Sequence, residues 1–581
     1  MKKKQTNKNQ INNKSISKNK LKLMNKNKPL ITTATLRGEY ARRAISQIPR
    51  LLTLLDRNEF SKTYGSFQRT FWLDKSDDFV NALPQYGVIS LALVYKHNMP
   101  NNIYYKNEDI KKWTIAAMNY WVKVQHNDGS FDEFYPNERG WAGPTGFLLF
   151  AMVEAYNIVK ESMTNKEKAN FLRACKKAAI FLGKYDESGV LANHNAMALL
   201  GMYEAYTILN DATILKLFRK QMKVFYSLVS KEGWSLEYDG PDIGYLSATV
   251  SFLSRIYKLG YRDNKILSVI EKSIEFSSYF VYPNKYYGGS LGTRQTLHFY
   301  PHGYELMADK FPLAGRIATW MLQGLAEGKL VPPEIQADRY FLYRIPEFLL
   351  SYIDINKNDY SKIKLPFENS PFTKNFVEAG IYVKKWDDKY MLCNLKKGGV
   401  TKVFNLKNNQ LIFNDDCIVG KLTNGDVLTS QWVDKNYNIN VKDNSICVKG
   451  RLNYLPQKVF TPFKGLIFRT VILSLGWNTF FAYHLKGLIR KLIIFGKNRS
   501  DVSFKRKIDF SKKTIITDYL INNSKNDFNF LKVGGCTYLR YVPQSRFFQP
   551  VELEIEGKYL TTKELKEFNK NKHIKFVREI S

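Results

Sequence analysis

The chain has few cysteines, few histidines and too few acidic residues to balance its basic ones. Its five cysteines, Cys175, Cys393, Cys417, Cys447 and Cys536, are odd in number and never fall at CxxC spacing. That spacing excludes a zinc ribbon or a thioredoxin-like motif. Buried free thiols are expected instead of a disulfide framework, since unpaired Cys packs as a small hydrophobe. Also lacking is a run of ~20 mostly apolar residues, the length that spans a bilayer. The nearest stretch, Thr470 to Leu485, contains Asn478 and His484. Its aromatic and β-branched content reads as two strands turning near Gly476-Trp477-Asn478. Residues 1–28 hold ten lysines and no Asp or Glu, too little apolar surface to fold alone. This tail starts like a signal-peptide n-region, but no apolar h-region follows. A cytoplasmic location is therefore expected, with export left open.

What is present is enough for a large core. The 581 residues are 44% apolar and 14% aromatic, sufficient for about three domains or two large ones. Lys and Arg number 88 against 53 Asp and Glu, a net charge of +35. That balance favours a polyanionic partner. No nucleic-acid-binding motif accompanies it, so nucleic acid is not the expected partner. From about 38 to 355 apolar residues recur at helical spacing, as in Ile48, Leu51, Leu52, Leu54 and Leu55. From about 375 short alternating runs are separated by Asp387-Asp388, Asn408-Asn409 and Asn424-Gly425, the pattern of many short strands joined by turns.

The helical part repeats. Ala151-Met-Val-Glu-Ala-Tyr156, Gly201-Met-Tyr-Glu-Ala-Tyr206 and Ser251-Phe-Leu-Ser-Arg-Ile-Tyr257 place tyrosines about 50 residues apart. Such a period fits a helical hairpin unit. About six units fit, and they close into an (α/α) toroid or stack as an open solenoid. The expected organisation is a basic tail over 1–30, a toroid over 31–360 and an antiparallel β-sandwich over 361–581. Twelve residues before each tyrosine stand Pro144, His194 and Tyr245, each after a polar or Gly-rich stretch that reads as a helix start. Helix starts of adjacent repeats lie side by side, so His194 and Tyr245 are expected to face one cavity. Free N–H groups there favour anions.

Of seven histidines, the informative ones are in Asn193-His194-Asn195 and in the loop-like run Gly288-Gly-Ser-Leu-Gly-Thr-Arg294-Gln-Thr-Leu-His298-Phe-Tyr300-Pro-His302-Gly-Tyr304-Glu305. Loops on a rigid scaffold carry function disproportionately. The bland alternatives are an Asn193 helix cap, a structural His194 and a core Tyr245. His298 and His302 share i,i+4 spacing, but Pro301 intervenes and no HExxH pattern is formed. Neither a metal nor another cofactor is expected.

A helical toroid followed by a β domain, with Asn193-His194 on one inner helix start and Tyr245 on the next, resembles the heparinase II/III-like polysaccharide lyases and the related alginate and chondroitin lyases. The resemblance implies a carbon–oxygen lyase that cleaves an acidic, uronate-containing polysaccharide or oligosaccharide by β-elimination. It implies Asn193 as donor to the uronate carboxylate, His194 or Tyr245 as base and Tyr245 as acid. Substrate binding would fall to Arg294, His298, His302, Tyr300, Glu305, Trp141 and Trp234. The chain departs from the family in its β domain, where only His484 and His573 are available. Two other readings stand beside this one. One is a glycoside hydrolase on the same toroid, with Asp128 and Asp239 or Asp242 as its carboxylate pair. The other is a non-catalytic or biosynthesis-associated glycan-binding protein on a lyase scaffold. A terpene-cyclase-like motif, Gln125-His-Asn-Asp-Gly-Ser-Phe, lacks an Asp-rich acid to accompany it.

Overall fold

A computed structural model describes residues 33–185, 191–456, 460–493, 498–510, 513–536, 555 and 557–580. The basic tail assigned to 1–30 lies outside them, as does the polar stretch 186–190. Six helical hairpins make up the first half. Their outer members are α1 (Thr33–Ile45) with α2 (Ile48–Leu54), α4 (Glu108–Val124), α6 (Asn165–Lys184), α8 (Ala212–Ser227), α10 (Ile266–Ser278) and α12 (Pro312–Ala326). The inner members are α3 (Gly87–Lys96), α5 (Ala142–Val159), α7 (Ala192–Leu209), α9 (Ile243–Lys258), α11 (His302–Met307) and α13 (Asp338–Ile353). Each inner helix packs on the next, and α13 returns to α3. The repeat is therefore a closed toroid and not an open solenoid.

Sequence dictates which helix goes where. α5 and α7 are apolar on nearly all sides and almost wholly buried, as befits a helix with neighbours on every side. The segment Ala142–Ser162 is long and apolar enough to cross a membrane, yet 78% of its apolar window is buried inside the ring. α4, α6 and α8 carry one apolar stripe and form the outer wall. Their starts are capped: Asn107 accepts from the Ile110 N–H at 3.1 Å, Thr164 and Glu167 form a reciprocal capping box, and Asp211 accepts from Thr213 N–H at 2.8 Å. Tight turns within hairpins rest on the outer helix of the next hairpin. Gly129 and Gly233 have φ of +95°, and a Cβ there would collide with the carbonyls of Lys177 and Lys272.

The second half is a β-sandwich. A five-stranded antiparallel sheet runs in order β3 (Phe372–Phe376), β4 (Ile381–Trp386), β5 (Lys389–Asn394), β6 (Val400–Asn405), β7 (Gln410–Asp415). The larger sheet includes β8 (Ile418–Leu422), β9 (Val427–Thr429) and β10 (Asn438–Lys442) and is centred on β11 (Ser445–Leu455), β12 (Arg499–Asp509) and β13 (Thr514–Asn522). Met391, Cys393 and Val403 of one sheet share a core with Ile446, Phe504 and Leu520 of the other. The small sheet also grips the toroid. Buried Lys397 donates to the carbonyls of Ser290 and Gly292, each at 2.7 Å, and Asn394 donates to that of Leu291 at 2.7 Å.

The two strands expected over Thr470–Leu485 are instead two helices, α14 (Pro462–Leu475) and α15 (Thr479–Ile493), inserted between β11 and β12. Thr461 caps the first, accepting from Lys464 N–H at 3.4 Å, with Pro462 at its first position. Ile472 and Gly476, four residues apart, are buried, as is Ala482 of the second helix, and Gly476 rests on Asn137 of the toroid. A short apolar run does not distinguish helix from strand until its packing partner is known.

Gly129→Ala combines a positive φ with a collision against a helix backbone, so it should destabilise the fold by at least ~1 kcal/mol. Chemical denaturation checks this. An unchanged midpoint would mean that the turn does not sit on α6.

Candidate active site

Pro144, His194 and Tyr245 are each the third residue of their inner helices, α5, α7 and α9. Ring closure thus sets equivalent positions side by side. His194 and Tyr245 both line one cavity, with Asn193, Trp141, His298 and Tyr300. Its other walls include Glu133, Phe147, Phe252, Arg339, Tyr340 and Tyr343, and its free volume is ≈ 80 Å³. Ligand pockets commonly measure ~300–1,000 Å³, so a sugar ring requires the walls to part.

Each group is held from behind. The buried Glu237 carboxylate accepts from Asn193 N–H at 2.6 Å and from Asn193 Nδ2 at 2.7 Å. An amide NH₂ has two donors, so one of them remains for the cavity. Asn193 is not the cap of α7; that position is Leu191. Glu237 belongs to a tight hairpin of β1 (Leu236–Glu237) and β2 (Gly240–Pro241), whose loop holds Tyr238 at φ +64°. Asp242 caps α9, accepting from Tyr245 N–H at 3.3 Å, and also accepts from Arg294 N–H at 2.8 Å. One carboxylate therefore anchors both Tyr245 and the 288–303 segment. Burial raises the Tyr245 hydroxyl well above the ordinary tyrosine range, reinforced by Tyr238, Tyr340 and Asp242 and opposed by Arg294. Tyr245 is thus a proton donor in the resting site. His194 sits between Trp141 and Phe147, at ring distances of 6.2 and 5.5 Å. His298 is hydrogen-bonded to Gln336.

Sequence reasoning passed over Glu133 and Arg339. Arg339, at the start of α13, forms an ion pair with Glu133 in the loop before α5. Glu133 ends the polar run that begins at Gln125 and Arg339 follows Asp338, but nothing in the sequence pairs them, and they meet only when the ring closes. The loop is shaped by carboxylates. Asp132 accepts from Asn137 N–H and Glu138 N–H at 2.9 and 2.8 Å, and Glu138 accepts from Phe134 N–H at 2.6 Å. Burial pushes the Glu138 carboxyl up to about 7 against the opposing effect of Lys486. Lys486 of α15 pairs with Glu138 and lies 3.7 Å from the Trp141 ring centre, so the inserted hairpin braces the cavity wall.

Four expected binding residues do not line the cavity. His302 is buried, receiving a hydrogen bond from Arg255 Nε at Nδ1 (2.8 Å) and facing Asp354 through Nε2 (2.7 Å). Glu305 accepts from Tyr40 OH at 3.4 Å and Asn356 N–H at 3.2 Å. Trp234 donates to Glu232 at 3.2 Å, in a turn that also binds the β domain through Glu378 N–H and Ala379 N–H. Arg294 is spread over the Tyr238 ring at 4.4 Å and acts on Tyr245 through its charge. A polar run in the sequence gives their neighbourhood but not the direction of their side chains. His484 and His573 are exposed and also lie outside the cavity lining. Of the hydrolase carboxylates, Asp128 is taken up by Ser130 and Thr479 and Asp242 by the cap. Neither these nor Asp239 lines the cavity, where Glu133 is the one carboxylate among the described residues. Among the described residues no cluster of three His, Cys, Asp or Glu is placed to hold a metal.

Residues 99–303 match the family model of the ulvan lyase N-terminal domain. That stretch carries Asn193, His194, Tyr245 and the 288–303 segment, and over it the chain is polysaccharide-lyase-like. No curated protein matches the sequence. Similar solved structures include heparinase III (12% identity, 78% of this chain and 64% of that chain, TM-score 0.45). Chondroitin AC lyase of Streptomyces coelicolor is another (9% identity, 87% and 68%, TM-score 0.49). A heparan sulfate lyase mutant from Pedobacter heparinus is a third (11% identity, 87% and 71%, TM-score 0.42). The chain thus covers less than two thirds of the heparinase III chain.

The His302 cluster predicts a pH dependence. Burial would raise the Asp354 carboxyl, but His302 and Lys258 hold it down at about 2, below its ordinary 3.8. Burial and Arg255 lower His302 as well. Both groups therefore contribute stability that is present above their ordinary values and is lost as pH falls. Asp354→Asn should cost up to about 2 kcal/mol near pH 7, and the gap to wild type should close towards pH 2. Urea titrations across that range measure it; a gap that is constant with pH would contradict the assignment.

Proposed function

We propose that the protein is a polysaccharide lyase that cleaves an acidic, uronate-containing glycan by β-elimination. The observation that carries this reading is the shared cavity of Asn193, His194 and Tyr245 at equivalent positions of adjacent inner helices. Asn193, steadied by Glu237, donates its remaining N–H to the uronate carboxylate and to the charge that develops there. With that charge stabilised, His194 takes the C5 proton. The electron pair forms the C4–C5 double bond and the C4–O bond breaks. Tyr245 gives its proton to the departing oxygen. Arg294 steadies the phenolate until solvent restores the proton. Arg339 can exchange Glu133 for the substrate carboxylate, which would both open the cavity and orient the sugar.

The narrow cavity supports a second reading, a glycan-binding protein without turnover, and one experiment separates the two. Wild type, Tyr245→Phe and His194→Ala are incubated with a panel of uronate polymers while the short-wavelength ultraviolet absorbance of a C4–C5 double bond conjugated to the carboxylate is followed. Wild type should generate the chromophore. Each variant should lose ~10²–10⁴-fold, the usual loss for a general acid or base, with an unchanged thermal midpoint. Full activity in Tyr245→Phe would remove its role, and no chromophore from any polymer would favour the second reading.

Glu133→Gln weakens the ion pair with Arg339 without removing the guanidinium. If Arg339 receives the substrate carboxylate, this variant should lower KM several-fold, whereas Arg339→Ala should raise it. Steady-state kinetics distinguish these results from an ion pair that is only structural, for which KM would move in neither variant.

A further inference from the structure

The hairpin α14–α15 has an outer face that no described residue covers. Phe463, Trp477 and Phe480 are 71%, 61% and 69% exposed, and Leu466, Ile467 and Leu473 are more than half exposed. An apolar surface of this kind marks an interaction site. Its inner face is already engaged. Phe468 meets the Tyr135 ring at 5.0 Å, Thr479 binds Asp128 and Lys486 binds Glu138. The hairpin is thus a fixed projection of the β domain with its apolar side turned outward.

Charge identifies the occupant. Between Pro456 and Ser500 there are eight Lys and Arg and no Asp or Glu; Lys486, Arg469 and Arg499 pair with Glu138, Asp78 and Asp434, and five stand outside these three pairs. Exposed aromatic and aliphatic side chains, with exposed Lys464 among them and further basic residues near them in the sequence, match a helix that lies in the interface of an anionic bilayer. A second copy of the same face would set like charges against each other. An acidic polysaccharide alone would leave the leucines and phenylalanines in water. We infer that α14–α15 docks the protein on an anionic lipid surface, with the outer face in the headgroup layer. The lysine-rich residues 1–28 add charge of the same sign. Because Lys486 ties α15 to the cavity wall, docking would hold the cavity close to the lipid surface. The inference does not depend on the proposed chemistry.

The full-length protein is sedimented with vesicles of phosphatidylglycerol and phosphatidylethanolamine, and with vesicles of phosphatidylcholine alone. Expected is at least ~10-fold stronger partitioning to the anionic vesicles, weakening with salt. Leu473→Ser/Trp477→Ser/Phe480→Ser should reduce it at least ~10-fold while circular dichroism stays unchanged. Removal of residues 1–30 should leave most of it. In wild type, amide exchange across 460–489 should slow on anionic vesicles, a readout that survives if the triple variant misfolds. Four results would overturn the proposal: no partitioning, equal partitioning of the triple variant, complete loss on removing the tail, or a wild-type dimer that the triple variant dissolves.

Discussion

Closure of the ring, with α13 returning to pack on α3, determines where the chemistry can lie. Six inner helices held in a circle bring their starting residues to one end. A small offset in one repeat would carry its third residue away from its neighbour's. Close packing of α5 on α7 holds that register, because a Cβ on Gly146 would press on the backbone of Ala198 and one on Gly201 on the Gly146 carbonyl. Asn193, His194 and Tyr245 are neighbours for this reason.

Buried polar groups then fasten the ring's contents. Arg255, Glu347, His302 and Asp354 link α9, α11, α13 and the segment that follows. Leaving any of them unpaired would be costly. Burial would raise the Glu347 carboxyl, yet Arg255 and His302 hold it low, which keeps the ion pair charged. Asp242 and Glu237 do similar work beside the cavity, with backbone and amide N–H groups as partners. The β domain completes the arrangement from outside, through Lys397 beneath the 288–292 segment and Lys486 beside Trp141.

Much of this plan is legible in the sequence, because a repeat writes three-dimensional adjacency into one dimension. The tyrosines at 156, 206 and 257 mark equivalent helix positions, and counting back twelve residues reaches the cavity wall. The Glu133–Arg339 pair is not legible in this way. Its partners are 206 residues apart and lie outside the repeat's pattern, so only the closed ring joins them. His302 and Trp234 show a different limit. Each lies in a polar run near the site, but local backbone direction turns one inward to Arg255 and the other toward the β domain. The hairpin at 462–493 had a readable start in Thr461-Pro462, yet its apolar density fits strand or helix equally until the loop at 135–140 provides the surface on which it folds.

Digestion of a uronate polymer in water enriched in heavy oxygen, followed by mass analysis of the fragments, tests the central claim most directly. Elimination breaks the C4–O bond without adding water, so the account predicts unsaturated fragments that carry no heavy oxygen. Saturated fragments with one heavy oxygen at each cleavage would mean hydrolysis and would contradict the roles given to Asn193, His194 and Tyr245.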